Sequence, residues 1–340
     1  MKKTILITGA AGFIGFHLSK QLIKLGHNII GIDNINNYYD INLKFARLKQ
    51  LGINNAKAKE FNNLSYSSLH GKQFQFIRMN LEDNTSLSNF FNKYNFDLVC
   101  NLAAQAGVRY SIKNPHAYTL SNITGFLNIL ECCRHNNIKR VVYASSSSVY
   151  GNNKQVPFNE SDNVDNPISL YAATKKSNEL MAYTYSHLYG LETIGLRFFT
   201  VYGPWGRPDM AYFLFTDAII NNRAIDVFNN GNLSRDFTYI DEIIDGVVKT
   251  LLNNSKNKSL YKLYNIGNGS PVNLLDFINI IEKEVGLKSV KNMLPMQPGD
   301  VYKTYANTKN IEKDYTYKSN NNIKLGIKKF VSWYKNFYNV

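Results

Sequence analysis

Tyr171 and Lys175 stand four residues apart in Tyr171-Ala172-Ala173-Thr174-Lys175, which on a helix puts them on one face, a turn apart. A free phenol has a pKa of about 10 and a nearby cation stabilises the phenolate, so such a pair can take a proton from an alcohol near neutral pH. Tyrosine and lysine reach this spacing often by chance, so the surroundings must carry the reading. Ser145-Ser146-Ser147-Ser148 ends an apolar run 23 to 26 residues earlier and offers hydroxyls to the same substrate oxygen. Oxidising an alcohol also needs a hydride acceptor.

A place for one is written near the start. Gly9-Ala10-Ala11-Gly12-Phe13-Ile14-Gly15 follows an apolar run at residues 3–8 and opens a helical pattern at residues 12–25, the context of a dinucleotide-binding turn. Glycine lets the backbone approach a pyrophosphate, whose charge meets free amides and the positive end of the helix. The first two glycines are three residues apart rather than two. Asp33 follows a second strand-like run at residues 27–32 and lies 18 residues beyond Gly15. A carboxylate there accepts hydrogen bonds from ribose hydroxyls and repels a phosphate, which favours NAD over NADP. Its blander role is to cap the turn that follows.

These groups need a scaffold, and the sequence supplies an alternation of strand-like and helix-like segments. Strands are predicted at residues 74–78, 98–102 and 140–144, with helices at 84–94 and 122–136, giving a sheet of six or seven strands. The fold class is α/β, a doubly wound parallel sheet (Rossmann fold) with a smaller C-terminal α/β substrate-binding region. Residues 1–200 are expected to hold the dinucleotide and the Tyr171 helix, and residues 201–340 mainly the second ligand, with some segments returning to the large domain. Residues 34–72 read as the least regular part, with a helix near 42–51.

Bulk properties narrow the class. The 340 residues carry a net charge of +14, yet Lys and Arg are scattered and no nucleic-acid motif accompanies them. No nucleic acid is expected as a partner. No run of 18 apolar residues suggests a membrane span, and the apolar start is broken by Gly9, Gly12, Gly15 and His17, unlike a secretory signal. Cys100, Cys132 and Cys133 lack the spacing of a disulfide framework or zinc site, so no metal and a cytoplasmic location are expected.

The glycine turn, Asn101-Leu102-Ala103-Ala104, the serine run, Val149-Tyr150-Gly151 and the Tyr171 to Lys175 segment together resemble the extended short-chain dehydrogenase/reductase family, over nearly the whole chain. The resemblance implies Ser146 as hydroxyl partner, Tyr171 as acid and base, and Lys175 as ribose ligand and tyrosine activator, with Ser148 as a second contact. It implies NAD held by Gly9, Gly12, Phe13, Ile14, Gly15, Asp33, Asn34, Asn80, Leu81, Leu102, Ala103, Ala104, Gln105, Asn122, Tyr171, Lys175 and Phe198. It also implies a homodimer that pairs the Tyr171 helix and the 122–136 helix with their counterparts. The chain departs from many relatives at Asn80, Asn101 and Asn307, where Asp, His and Asp are usual.

Members that eliminate water or carbon dioxide carry a carboxylate just before Val-Tyr-Gly, whereas this chain has Ser147 and Ser148. Oxidation followed by re-reduction on the other face is then the simplest chemistry, an epimerisation that regenerates NAD. The blocks at residues 103–111, 197–210 and 235–238 resemble the UDP-glucuronate 4-epimerase branch of the family. That resemblance puts Arg235 on the diphosphate, Thr200 and Arg207 near the sugar carboxylate, and Arg109 as a further candidate for the same pocket. In Gln297-Pro298-Gly299-Asp300 it makes Gln297 and Asp300 contacts to ribose or uridine. Guanidinium forks suit both phosphate and carboxylate. The implied reaction is 4-epimerisation of UDP-glucuronate to UDP-galacturonate through a 4-keto sugar. The alternatives are a 4-epimerase of neutral UDP-sugars such as UDP-glucose or UDP-N-acetylglucosamine, and an idle NAD-sensing or scaffold protein.

Overall fold

Ile5 and Ile7 face one side of strand β1 (Thr4–Thr8) and Leu6 the other, and all three are fully buried. An apolar residue on both faces is what a strand needs when helices cover both sides of its sheet. In the computed structural model, which describes residues 1–297, 299–320 and 322–340, this strand lies near the middle of an eight-stranded sheet. Pro298 lies outside the described residues.

The other strands in chain order are β2 (Asn28–Asp33), β3 (Leu64–Ser67), β4 (Gly71–Arg78), β5 (Leu98–Asn101), β6 (Arg140–Ser146), β7 (Glu192–Phe198), β8 (Thr200–Tyr202), β9 (Ile225–Phe228), β10 (Ser234–Tyr239), β11 (Tyr261–Ile266), β12 (Pro271–Asn273) and β13 (Lys291–Leu294). The large sheet runs β11-β7-β6-β5-β1-β2-β4-β3, parallel throughout except for β3. Strand order reverses between β1 and β5, and a crevice opens beyond the carboxyl ends of strands at such a point.

Eight strands exceed the six or seven read from the sequence. β3 falls in the segment judged irregular, because four residues with polar Ser65 and Ser67 give little apolar signal. Those serines are buried because β3 pairs antiparallel with β4 at the sheet edge. β11 returns from the C-terminal part of the chain to extend the sheet beside β7, and the Ile240–Leu252 helix packs on the Phe13–Lys24 helix. The remaining strands form a three-stranded sheet, β12-β10-β8, and the pair β13-β9.

Two helices set the chemistry. The Leu170–Tyr189 helix starts where the Ser169 side chain accepts from the Ala172 N–H, and stops at Gly190 in the left-handed region, so Tyr171 sits in its first turn. The predicted helix at 122–136 is instead a π-helical turn, Thr119–Thr124, followed by the α-helix Gly125–His135. From that turn Asn122 Nδ2 donates to the Gln105 carbonyl and to Thr174 Oγ1 at 3.0 Å each, and its Oδ1 accepts from the Gln105 N–H at 2.8 Å. Asn122 thus ties the loop after β5 to the Tyr171 helix.

Candidate active site

The glycine turn is packed too tightly for side chains. A Cβ on Gly15 would stand 2.1 Å from the Gly9 carbonyl oxygen, and one on Gly9, whose φ is +73°, would stand 2.9 Å from the Ala103 nitrogen across the switch point. The Phe13–Lys24 helix begins at Gly12 with no side-chain cap, so its first amides open toward a cavity of about 1080 Å³. Asp33 performs two tasks behind this turn. Its Oδ2 accepts from the Ala11 N–H at 3.1 Å and its Oδ1 from the Ile35 N–H at 2.8 Å, so it braces the cofactor turn and caps the next one while lining the cavity.

Tyr171, Lys175, Ser146 and Ser148 line the same cavity. Ser146 Oγ accepts from the Ser148 N–H and donates to Ser148 Oγ, both at 3.1 Å, which fixes the two hydroxyls side by side at the end of β6. Burial raises the Tyr171 phenol above its ordinary pKa, against a lowering pull from Ser146 and then from the Arg207 guanidinium. Lys175 is the unexpected partner here. Its Nζ donates to the Ala144 carbonyl at 2.9 Å, and burial lowers its pKa to about 8, partly offset by Glu179. Arg207 adds a second cation near the phenol and pulls its pKa down.

Arg207 is held by its own neighbour. Asp209 accepts from Arg207 Nε at 3.0 Å and from Nη2 at 2.5 Å, and Tyr38 Oη donates to Asp209 Oδ2 at 2.9 Å. Farther along, Arg109 pairs with Asp300 at 3.1 Å and its guanidinium lies 4.9 Å from the Phe228 ring centre. Arg235, on β10, donates to the Ser234 carbonyl at 3.0 Å; burial and then Arg109 lower its pKa, while Asp300 raises it. A guanidinium stays charged regardless. One wall therefore holds a phenol, a lysine and two hydroxyls, and other walls hold three guanidinium groups, a set that can remove a proton from a polyanionic alcohol.

Residues 5–267 match the NAD dependent epimerase/dehydratase family. The chain belongs to that family. Protein CapI of Staphylococcus aureus is 53% identical, over 98% of this chain and 99% of its own. UDP-glucuronate 4-epimerase 4 of Arabidopsis thaliana is 44% identical, over 98% of this chain and 76% of its own. Among solved structures, the UDP-glucuronic acid 4-epimerase of Bacillus cereus, in complex with UDP-glucuronic acid and NAD, superposes with a TM-score of 0.87 at 32% identity, over 98% of this chain and 100% of that one.

The residues expected of a family member come together unevenly. Gly9, Gly12, Phe13, Ile14, Gly15, Asp33, Asn34, Leu81, Leu102, Ala103, Ala104, Gln105 and Phe198 line the cavity, as do Arg109, Thr200, Arg207, Arg235, Gln297 and Asp300. Asn80 and Asn122 are not among its lining residues, and Asn122 is spent on the Gln105 loop. Tyr38, Lys44 and Asp209 line it without having been singled out. Lys44 Nζ donates to the Asn36 carbonyl at 2.8 Å and to Asn36 Oδ1 at 2.7 Å, which orders the loop after Asp33. Tyr38 stands in the polar segment after β2, where the sequence offers no periodicity to mark it, whereas Asp209 lay within a block already quoted.

Proposed function

We propose that the chain catalyses the NAD-dependent 4-epimerisation of UDP-glucuronate to UDP-galacturonate. The observation that carries this reading is Arg207, a partly buried guanidinium fixed by Asp209 in the pocket of Tyr171, where a sugar carboxylate beside the reacting hydroxyl would meet it. The curated relatives called UDP-glucuronate 4-epimerases and the Bacillus cereus complex with UDP-glucuronic acid and NAD support it. A neutral sugar would leave that cation without a carboxylate of its ligand to bind.

The residues present fit a dinucleotide. The uncapped first-turn amides after Gly12 suit the pyrophosphate, the Asp33 carboxylate suits the ribose hydroxyls, and the close Gly9 to Ala103 approach keeps a side chain out of the turn. NAD bound there supplies hydride acceptance and return at one carbon. Ser146 and Ser148 hold the 4-oxygen, and Tyr171 takes its proton and later gives it back. Arg235 and Arg109 hold the diphosphate end, which lets the oxidised sugar turn over in the cavity before reduction on the other face. Without a carboxylate before Val149, no group at that position drives elimination.

Incubating the protein with UDP-glucuronate and NAD and identifying the product by NMR tests this. UDP-galacturonate without accumulating NADH is expected. A released pentose sugar nucleotide, or a higher kcat/KM for UDP-glucose, would overturn the reading.

The same reading includes a cytoplasmic homodimer. Leu127, Leu180, Tyr183 and Leu188 are exposed on the Gly125–His135 and Leu170–Tyr189 helices, an apolar surface suited to pairing with a second copy. Three free buried cysteines accord with a reducing compartment. Sedimentation velocity would read the dimer directly.

A further inference from the structure

Arg47 is fully buried, at 0% exposure, and the partners of its guanidinium include no carboxylate. Among the described residues its charge is met by neutral acceptors. Nε donates to the Trp205 carbonyl at 3.2 Å, Nη1 to the Ala11 carbonyl at 2.9 Å and to Tyr39 Oη at 2.7 Å, and Nη2 to the Trp205 and Gly206 carbonyls at 2.7 and 3.1 Å. All five donors of the fork are used. Burying a cation this way is costly, and an apolar residue could fill the space more cheaply unless those carbonyls must be held.

They belong to two loops that meet only in space. Ala11 lies inside the glycine turn, and Trp205 and Gly206 immediately precede Arg207. Trp205 has φ +63°, a conformation that is strained for a bulky side chain and persists only where surroundings enforce it. The enforcement is visible on every side. His17 Nε2 bonds the Pro204 carbonyl at 3.0 Å, the Arg207 N–H donates to Tyr212 Oη at 3.2 Å, and a Cβ on Gly206 would meet that same hydroxyl at 2.1 Å. Asp209 and Tyr38 then fix the Arg207 side chain.

We infer that Arg47 is a positioning residue for substrate selection: its fork clamps the Trp205-Gly206 carbonyls to the cofactor turn and so aims Arg207 at the ligand's carboxylate. The inference rests on the reading of Arg207 given above. A lysine cannot replace the fork, because one ammonium with three donors cannot span carbonyls on both loops.

The test compares Arg47→Lys and Arg47→Met with the wild type by calorimetric binding of UDP and of UDP-glucuronate, and by hydrogen exchange in the full-length protein. Both variants should bind UDP-glucuronate about tenfold more weakly and keep UDP affinity within about twofold, since a displaced first contact costs at that contact. Exchange should quicken in residues 203–209 and not in β5 or β6. Unchanged exchange at 203–209, or equal losses for both ligands, would overturn the inference. If the wild type itself bound UDP-glucuronate no better than UDP, the carboxylate reading would fail, and the exchange arm alone would decide Arg47. If neither variant folds, Tyr39→Phe removes one acceptor of the fork and must still quicken exchange at 203–209, or the inference falls.

Discussion

Asp209 grips Arg207 through both of its carboxylate oxygens, two residues along the same loop, and Tyr38 donates to the oxygen that also takes Nη2. The pair is only about one quarter exposed at each side chain, so the guanidinium has a fixed direction before any ligand arrives. Its Nε edge is occupied, which leaves Nη1 for a ligand. Asp209→Asn keeps one acceptor and removes the charge. We expect the KM for UDP-glucuronate to rise about tenfold with kcat changed much less, the scale of one charge-assisted hydrogen bond. A fall in KM would mean that Asp209 competes with the substrate carboxylate instead of aiming the arginine.

Tyr171→Phe removes the phenol on which Ser146 acts and should lower kcat by about 10²- to 10⁴-fold, leaving UDP affinity unchanged. Ser146 lowers the Tyr171 pKa and donates to Ser148 Oγ at 3.1 Å. Ser146→Ala should therefore cost more in kcat than Ser148→Ala. Steady-state rates for the three variants would check both claims, and an equal loss at the two serines would contradict the second.

Much of this site was legible because it depends on local spacing. A glycine turn between a strand and a helix, Asp33 at the next strand end, and Tyr171 with Lys175 one helical turn apart are short-range patterns, and the fold puts them where those patterns imply. What spacing could not give is the direction of a long side chain. Lys175 shares a helix with Tyr171 and its Nζ bonds the Ala144 carbonyl, while Arg207, 36 residues away in sequence from Tyr171, also acts on the phenol. Nor could it show that Tyr38 meets Asp209 across 171 residues, or that Arg47 meets Trp205 across 158. The family resemblance made Asn122 a cofactor ligand, whereas in the fold it lies in a π-helical turn with its amide bonded to Gln105 and Thr174. β3 escaped notice because its buried positions are serines.

Lys175 gives a pH dependence of definite sign. Its pKa in the fold is about 8, below the ordinary 10.5, because burial disfavours the ammonium. Between those values the unfolded chain holds a proton that the folded chain has released, so stability rises with pH through this window. Below about 8 the penalty is fully present. The stability difference between wild type and Lys175→Met should shift toward the wild type by about 3 kcal/mol from pH 8 to 10.5, which also cancels the tyrosines common to both. Urea unfolding across this range measures it, and a flat difference would show that Lys175 is not buried as a strained cation.

Directly behind Lys175, Glu179 and Arg197 form an ion pair with both side chains 2% exposed. Glu179 accepts from Arg197 Nε and Nη2 at 2.8 Å each and from Ser145 Oγ at 2.6 Å, while Arg197 Nη1 donates to Tyr150 Oη at 3.0 Å. The network joins β6, β7 and the Tyr171 helix beneath the serines. Glu179→Leu would leave a guanidinium buried without its counter-charge, a loss of roughly 3–5 kcal/mol, whereas Glu179→Leu with Arg197→Met removes both charges and should restore most of it. The acid also supports its neighbour electrostatically, since Glu179 raises the Lys175 pKa. In the double variant Lys175 should therefore titrate below about 8 even where stability recovers. Denaturant midpoints and the pH dependence of unfolding separate the two effects, and a single Glu179→Leu variant as stable as the wild type would show that the pair does not hold this part of the site together.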